Sequence, residues 1–343
     1  MPLTLYVDGD QWRAHLRSVA ESRPRLVPVA KGNGYGLGLG RLARKADWLG
    51  VDVLAVGTYE EIAAVAQRFH GDLLVLSPWR PWVKPGPYED RVVHTVGRLE
   101  DLRALADRGD RPRVVVEFLT SMSRHGLSAD ELGPALPYLD RLRLEGTALH
   151  LPMARTNSEE TERWIDVQRD GGLPASPLFV SHLTPAEESA VRERHGDLDI
   201  RPRVGTALWL GDRSALHPRA TVLDVHAVSR GDRVGYRRRR IPRAGSLLVV
   251  AAGTAHGIAL ESPAANTSAR QRAIALARGG LDAAGFALSP FTVDGRQRWF
   301  AEPPHMQASL LFVPASVETP AVGDEIDVDV RFTTTTFDAV LLS

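Results

Sequence analysis

The chain has 343 residues, with 42 basic and 42 acidic side chains and a formal net charge of zero. That balance gives no footprint for nucleic acid or an acidic membrane, and the length suffices for two domains or one large barrel with an addition. No cysteine is present, which excludes disulfides, a cysteine nucleophile and thiolate metal sites, and no metal site is expected. No apolar run reaches membrane-spanning length. The N-terminal MPLTLYVDGDQW lacks a basic region followed by an apolar core, so a soluble, cytoplasmic protein is expected.

In chain order, Leu3–Val7 alternates like a short strand, and Gly9–Glu21 places Trp12, Leu16 and Val19 on one helical face. Strand-like and helix-like stretches then alternate. Strands are expected at Leu26–Ala30, Val53–Val56, Leu73–Leu76, Val92–Val96, Arg113–Phe118, Leu142–Leu151, Leu178–Leu183 and Ile200–Leu208. Helical patterns follow most of them, at Arg41–Leu49, Glu60–Arg68, Leu99–Arg108, Ala129–Tyr138, Ser158–Arg169 and Pro185–His195. The exception is Ser77–Asp90, whose prolines forbid a regular helix and predict an irregular loop. This alternation predicts an α/β fold, a (β/α)8 TIM barrel over residues 8–215. Near Ala215 the rhythm changes. Thr221–Val228, Ser246–Gly253, Gln307–Val313 and Glu325–Phe332 read as strands without helices between them. They predict a mostly β C-terminal domain over 216–343, which the first strand, 1–7, joins. One helical insertion, Thr267–Ala284, reads as packing or an interface.

The stretch with chemical content is Leu26–Gly40, LVPVAKGNGYGLGLG. An apolar run with the branching of a buried strand ends at Lys31, and a glycine-rich turn follows. A lysine there must reach solvent or do chemistry. The chain has only three lysines, Lys31, Lys45 and Lys84. Lys45 falls on an amphipathic helix and Lys84 in the proline-rich loop, so both read as solvated. Arginine cannot form a Schiff base, because its guanidinium stays protonated. Lys31 is therefore the amine placed to hold a carbonyl compound, with a capping or salt-bridging lysine as the alternative.

TIM-barrel chemistry sits at the C-terminal ends of the strands. Arg124 follows the fifth strand and His150 ends the sixth. Ser181 and His182 lie late in the seventh, and Arg203, Gly205 and Thr206 in the eighth. Each alone has a structural reading: a solvated arginine, a satisfied core histidine, a helix cap, a bulge glycine. Together, at matching strand ends, they point to one site.

The pattern Ala30-Lys31-Gly32-Asn33-Gly34-Tyr35-Gly36 resembles the pyridoxal phosphate (PLP) lysine motif of alanine racemases, usually VKANAYGHG. The resemblance implies a fold-type III PLP protein in which Lys31 carries the cofactor and Tyr35 is a phosphate ligand. Glu117–Gly126 resembles the family's KVDTGMGRLG segment, which implies that Arg124 binds the substrate carboxylate and the cofactor oxygen. Arg203–Trp209 resembles RxGIAxY. Arg203 would then face the pyridine nitrogen, and the amides of Gly205 and Thr206 would bind phosphate. His150 matches the histidine packed on the pyridine ring, and Ser181 a phosphate-binding serine. In the β domain, Gly235-Tyr236-Arg237 is similar to the segment carrying the second base, which acts on the neighbouring subunit's cofactor. That implies a homodimer with composite sites. Most of Arg237–Arg240 reads as a solvated β-turn, with a cationic field favouring a phenolate as the other reading. His305-Met306-Gln307 resembles CMD, whose methionine amide contacts the substrate carboxylate, so Met306 is expected to bind substrate.

The function so implied is a PLP-dependent amino-acid racemase with alanine as default substrate. Lys31 serves the D-enantiomer and Tyr236 the L-enantiomer. The expected partner is a small amino acid, with no nucleic acid and no membrane. The alternatives are another fold-type III PLP enzyme, a decarboxylase or lyase, and a PLP-binding protein without turnover. Related barrel decarboxylases set an acid against the ring nitrogen and use a cysteine, so Arg203 and the absence of cysteine argue against decarboxylation. Four departures stand out. Glu117 replaces a lysine that is often carbamylated, and Leu119 replaces an aspartate. Thr254 replaces an entrance tyrosine, and no tyrosine follows Tyr236. The changes around the entrance leave alanine specificity open.

Overall fold

A computed structural model describes residues 2–83, 86–260 and 287–343. Lys84 and the helix expected at 267–284 lie outside the described residues. The chain divides into two units, Arg13–Gly211 and Met1–Trp12 with Asp212–Ser343.

In the first unit eight parallel strands close into a barrel: β2 (Val27–Ala30), β3 (Val53–Val56), β4 (Asp72–Val75), β5 (Val92–Val96), β6 (Arg113–Phe118), β7 (Arg143–His150), β8 (Leu178–Ser181) and β9 (Ile200–Val204). Closure is made by β2 against β9, with Val27 opposite Arg203. The strands are apolar on both faces because both faces are covered. Val27, Val29, Ala55, Leu74, Val93, Val115, Ala148 and Phe179 fill the interior. Val96, Val114, Val116, Leu149 and Val180 turn outward onto Leu102, Leu132, Trp164 and Val191 of the surrounding helices. Those helices are α2 (Leu39–Trp48), α3 (Ile62–Ala66), α4 (Leu99–Ala106), α5 (Leu132–Leu139), α6 (Ser158–Asp170), α7 (Pro185–Arg194) and α8 (Thr206–Leu210); α1 (Gly9–Ser22) precedes the barrel. The N-terminal end of the barrel is ionically closed. Arg113 pairs with Asp72 at 2.5 Å and Glu145 at 2.8 Å, and Arg201 pairs with Asp52 while lying over the Phe179 ring.

Two strand ends differ from expectation. The eighth barrel strand stops at Val204, not Leu208, because Gly205 leaves extended geometry (φ −110°, ψ −90°) and Thr206 opens α8. The seventh stops at Ser181, since His182 takes a left-handed φ of 63°. Gly205 and Thr206 therefore belong to a strand-to-helix turn rather than to a strand.

The second unit is built on an eight-stranded sheet among the described residues. Its members are β1 (Leu3–Val7), β10 (Leu216–Val228), β13 (Gly245–Ala251), β14 (Leu288–Val293), β15 (Arg296–Phe300), β16 (Ala308–Pro314), β17 (Glu325–Val328) and β18 (Ala339–Leu342). The order is β13-β16-β15-β14-β17-β10-β1-β18, and β13 also pairs with β10, so six strands form a ring. β1 runs antiparallel to β10, from Leu3 opposite Ala220, and parallel to β18. Val222, Leu248, Val250, Phe291, Leu311, Val313 and Ile326 form its core. A two-stranded hairpin, β11 (Arg233–Val234) with β12 (Arg239–Arg240), stands apart from the sheet. The last expected strand ends at Val328 rather than Phe332, because a turn closes on the Arg331 carbonyl. β14, β15 and β18 were not anticipated.

Candidate active site

Lys31 follows β2 directly, and the backbone coils at once. Gly32, Gly34, Gly36 and Gly38 take φ of 60°, 64°, 77° and 84°, a region glycine enters without steric cost. Gly34 is the tightest, since a Cβ there would overlap the Gly38 backbone. The coil turns Tyr35, itself left-handed at 54°, into the protein, where it is buried. Its hydroxyl lies over Gly205, and a Cβ on Gly205 would overlap Tyr35 Oη. The first and last barrel strands thus converge there. Thr206, exposed, begins α8, in which the Leu208 and Trp209 amides both donate to the Gly205 carbonyl at 3.0 Å.

Glu61 holds the other side of the turn. Its Oε1 accepts from the Gly32 amide at 2.6 Å, and Oε2 from the Gly57 and Thr58 amides at 2.7 and 3.3 Å. The ends of β2 and β3 are tied together immediately beyond Lys31. Around the rest of the mouth, Arg203 is buried on the same face of β9 as Arg201. Its Nη2 donates to the Leu149 carbonyl at 2.9 Å, while Nε has no partner. Glu117 of β6 is buried, with Oε2 unpartnered. His150 Nδ1 lies 2.8 Å from Ser181 Oγ, and its ring is 5.5 Å from that of His182. Arg124 is exposed in the loop after β6.

These groups sense one another. The Lys31 side chain is exposed, yet lost hydration pushes its amine below the usual lysine range; Arg124 and Arg203 add to this and Glu61 opposes it. Burial, then Arg203 and Arg124, push His150 down to about 3. Burial raises the Glu117 carboxyl against the pull of Arg203 and Arg124, and lowers the Arg203 guanidinium. Burial and then Glu61 push Tyr35 up to about 12. Among the described residues, Lys31, Arg124 and Arg203 form no salt bridge, and the carboxylate felt by both arginines is buried Glu117. The mouth carries surplus positive charge and an amine biased toward its nucleophilic form.

Of the residues expected at the site, Lys31, Tyr35, Arg124, His150, Ser181, Arg203, Gly205 and Thr206 lie at the C-terminal ends of the barrel strands. Tyr236 and Met306 belong to the other unit, where both line one cavity of about 600 Å³ with Thr254 and His305. Tyr236 tips the β11–β12 hairpin, and Arg237 and Arg238 beside it are exposed in the turn. Sequence reasoning missed Glu61, although Thr58-x-x-Glu61 is a capping-box spacing. It also missed Glu302, which no local pattern marks.

Comparison with known proteins follows the same lines. The family described as alanine racemase, N-terminal domain, matches residues 7–208. An alanine racemase from Nitratiruptor sp. is 29% identical over 230 residues, covering 62% of this chain and 66% of the relative. One from Symbiobacterium thermophilum is 36% identical over 171 residues, covering 45% and 43%. The chain is thus matched over less than two thirds of the length of these curated relatives. Two solved structures share the fold. Alanine racemase from Bartonella henselae, with covalently bound pyridoxal phosphate, has a TM-score of 0.73 at 14% identity, covering 100% of both chains. That from Bacillus anthracis, with bound L-Ala-P, has a TM-score of 0.72 at 19% identity, covering 95% of this chain and 85% of that one. Since the match to residues 7–208 takes in the whole barrel, the chain belongs to the family of the alanine racemase N-terminal domain.

Proposed function

We propose that the protein is a PLP-dependent amino-acid racemase, with alanine as default substrate, acting as a homodimer. The observation that carries this is the charge at the barrel mouth. Lys31, Arg124 and Arg203 gather there, and Arg203 Nε and Glu117 Oε2 are buried without partners. That set fits an anionic cofactor with an aldehyde and a substrate with a carboxylate. Bound PLP supplies an electron sink that acidifies the substrate Cα.

The chain's own residues then divide the work. Lys31 would hold the cofactor carbonyl through its amine when substrate is absent and, with that amine released, would take or return the Cα proton for the D-enantiomer. The partner subunit's copy of the Tyr236 phenol serves the L-enantiomer from the opposite face. Arg203 is assigned to the ring nitrogen and His150 to the ring. Neutral His150 adds no further positive charge. Tyr35, Ser181 and the turn at Gly205–Thr206 are assigned to the phosphate. Arg124 would orient the substrate carboxylate, with the amide of the partner subunit's copy of Met306, which lines one cavity with Tyr236, assigned to the same group. Glu117 offsets part of the charge of the two arginines.

The test is Cα hydrogen exchange in D₂O, on L- and D-alanine and then a panel of amino acids. Exchange with inversion is expected, and Tyr236→Phe should slow exchange of the L-enantiomer by about 10²–10⁴-fold while sparing the D-enantiomer. Release of CO₂ or an aldehyde would replace the reading with a decarboxylase or lyase. Cofactor bound without exchange would leave a non-catalytic binding protein.

A further inference from the structure

Tyr236 stands at the tip of a short hairpin. Its hairpin pairs Arg233 with Arg240 and Val234 with Arg239, the Ile241 amide donates to the Asp232 carbonyl, and Val234 packs with buried Ile241 in a small apolar cluster, while Tyr236 at the tip is 86% exposed. The base of the hairpin is anchored by these contacts, and the tip projects beyond them. What holds the tip is a buried carboxylate beside it. Glu302 is 1% exposed, and Gly235 sits directly on it: a Cβ on Gly235 would overlap both carboxylate oxygens. Glu302 Oε1 accepts from His305 Nε2 at 2.6 Å. The His305 ring lies against that of Tyr236, with centroids 4.8 Å apart and a tilt of 45°. Tyr236, Glu302 and His305 line the same cavity, with Arg237 at its edge.

A buried carboxylate is costly unless hydrogen-bonded, so Glu302 has a strong reason to keep the His305 ring in one orientation. The ring and the carboxylate then contact the turn at adjacent residues, His305 on Tyr236 and Glu302 on Gly235. We infer that Glu302 and His305 are positioning residues for Tyr236, fixing the direction in which the exposed hairpin tip presents its phenol. The contacts stand by themselves, and their catalytic consequence rests on the proposed racemase reading.

Two readouts on the PLP-loaded, full-length protein test this. With 3-fluorotyrosine incorporated, the ¹⁹F resonance of Tyr236 is assigned by its loss in Tyr236→Phe. It should be displaced from the value of a free, exposed fluorotyrosine. It should move to that value in His305→Ala and in Glu302→Leu, and stay near wild type in Glu302→Gln, whose amide oxygen still accepts from Nε2. If Glu302→Leu fails to fold, His305→Ala carries the comparison. The second readout is Cα exchange of each enantiomer. His305→Ala should slow the L-enantiomer about tenfold or more and leave the D-enantiomer within about twofold, because misplacing one base affects only its own face. A wild-type resonance already at the free value, or one unmoved in both His305→Ala and Glu302→Leu, overturns the inference, as does equal slowing of both enantiomers. Wild-type protein that exchanges neither enantiomer ends the racemase reading, and the ¹⁹F shift then decides the positioning claim alone.

Discussion

The two ends of the barrel carry similar cations and treat them oppositely. At the N-terminal end, Arg113 meets Asp72 and Glu145, and Arg201 meets Asp52. At the C-terminal end Lys31, Arg124 and Arg203 sense one another, with Glu61 opposing them at Lys31 and buried Glu117 at the two arginines. The first end is closed by its own charges. The second keeps a surplus of positive charge among the described residues, at the end where the βα loops can reach it. Arginine in a barrel is therefore not informative by itself; what matters is whether its carboxylates come from the fold.

That contrast can be broken from either side. Arg203→Gln should weaken PLP binding by roughly ten- to a hundredfold, in keeping with the loss of one charged hydrogen bond, with little loss of stability. Arg113→Gln should do the reverse. Stability in urea should fall by about 1–3 kcal/mol, because Asp72 and Glu145 lose their shared partner, and cofactor affinity should hold. Equal effects at the two positions would erase the distinction.

The mouth is also built by close contact, which Gly205→Ala tests. The added methyl group would overlap Tyr35 Oη, at a cost of about 1–3 kcal/mol by overpacking. Tyr35→Phe in the same background should recover part of it, and strict additivity of the two changes would deny that they touch. A smaller effect concerns Lys31. Arg124 disfavours its ammonium form, so Arg124→Gln should raise the pH at which the amine becomes reactive toward PLP. A midpoint that stayed or fell would contradict the coupling. The smallest effect concerns His150. Its folded pKa of about 3 lies below the ordinary imidazole value of 6.5, so the folded state binds fewer protons across that window. Stability should be full above about 6.5 and fall toward pH 3, and His150→Gln should flatten part of the melting curve's pH dependence, on the order of a few degrees.

The barrel was legible because its strands are short, doubly buried apolar runs that end in chemistry-bearing residues. Lys31 was findable from the glycines around it, each needed for the left-handed coil that follows. The end of β9 was misread because Ala207-Leu208-Trp209-Leu210 is equally apolar in strand and helix, and only the Gly205 backbone separates them. In the second unit, β15 carries two arginines in five residues and β14 a proline, so neither displays a plain strand pattern. Glu302 was invisible for a different reason, and His305 showed only as part of the His305-Met306-Gln307 segment. Their meaning lies in Gly235 and Tyr236, which are distant in sequence and are brought to them by folding alone.

The central claim is that the Lys31 amine carries the cofactor. Incubation with pyridoxal phosphate, borohydride reduction and peptide mass spectrometry test it most directly. The account predicts a reduced adduct on Lys31, lost in Lys31→Ala, with Lys45 and Lys84 unlabelled at stoichiometric cofactor. Protein that stays colourless with pyridoxal phosphate, or an adduct on either other lysine with Lys31 unmodified, would contradict it.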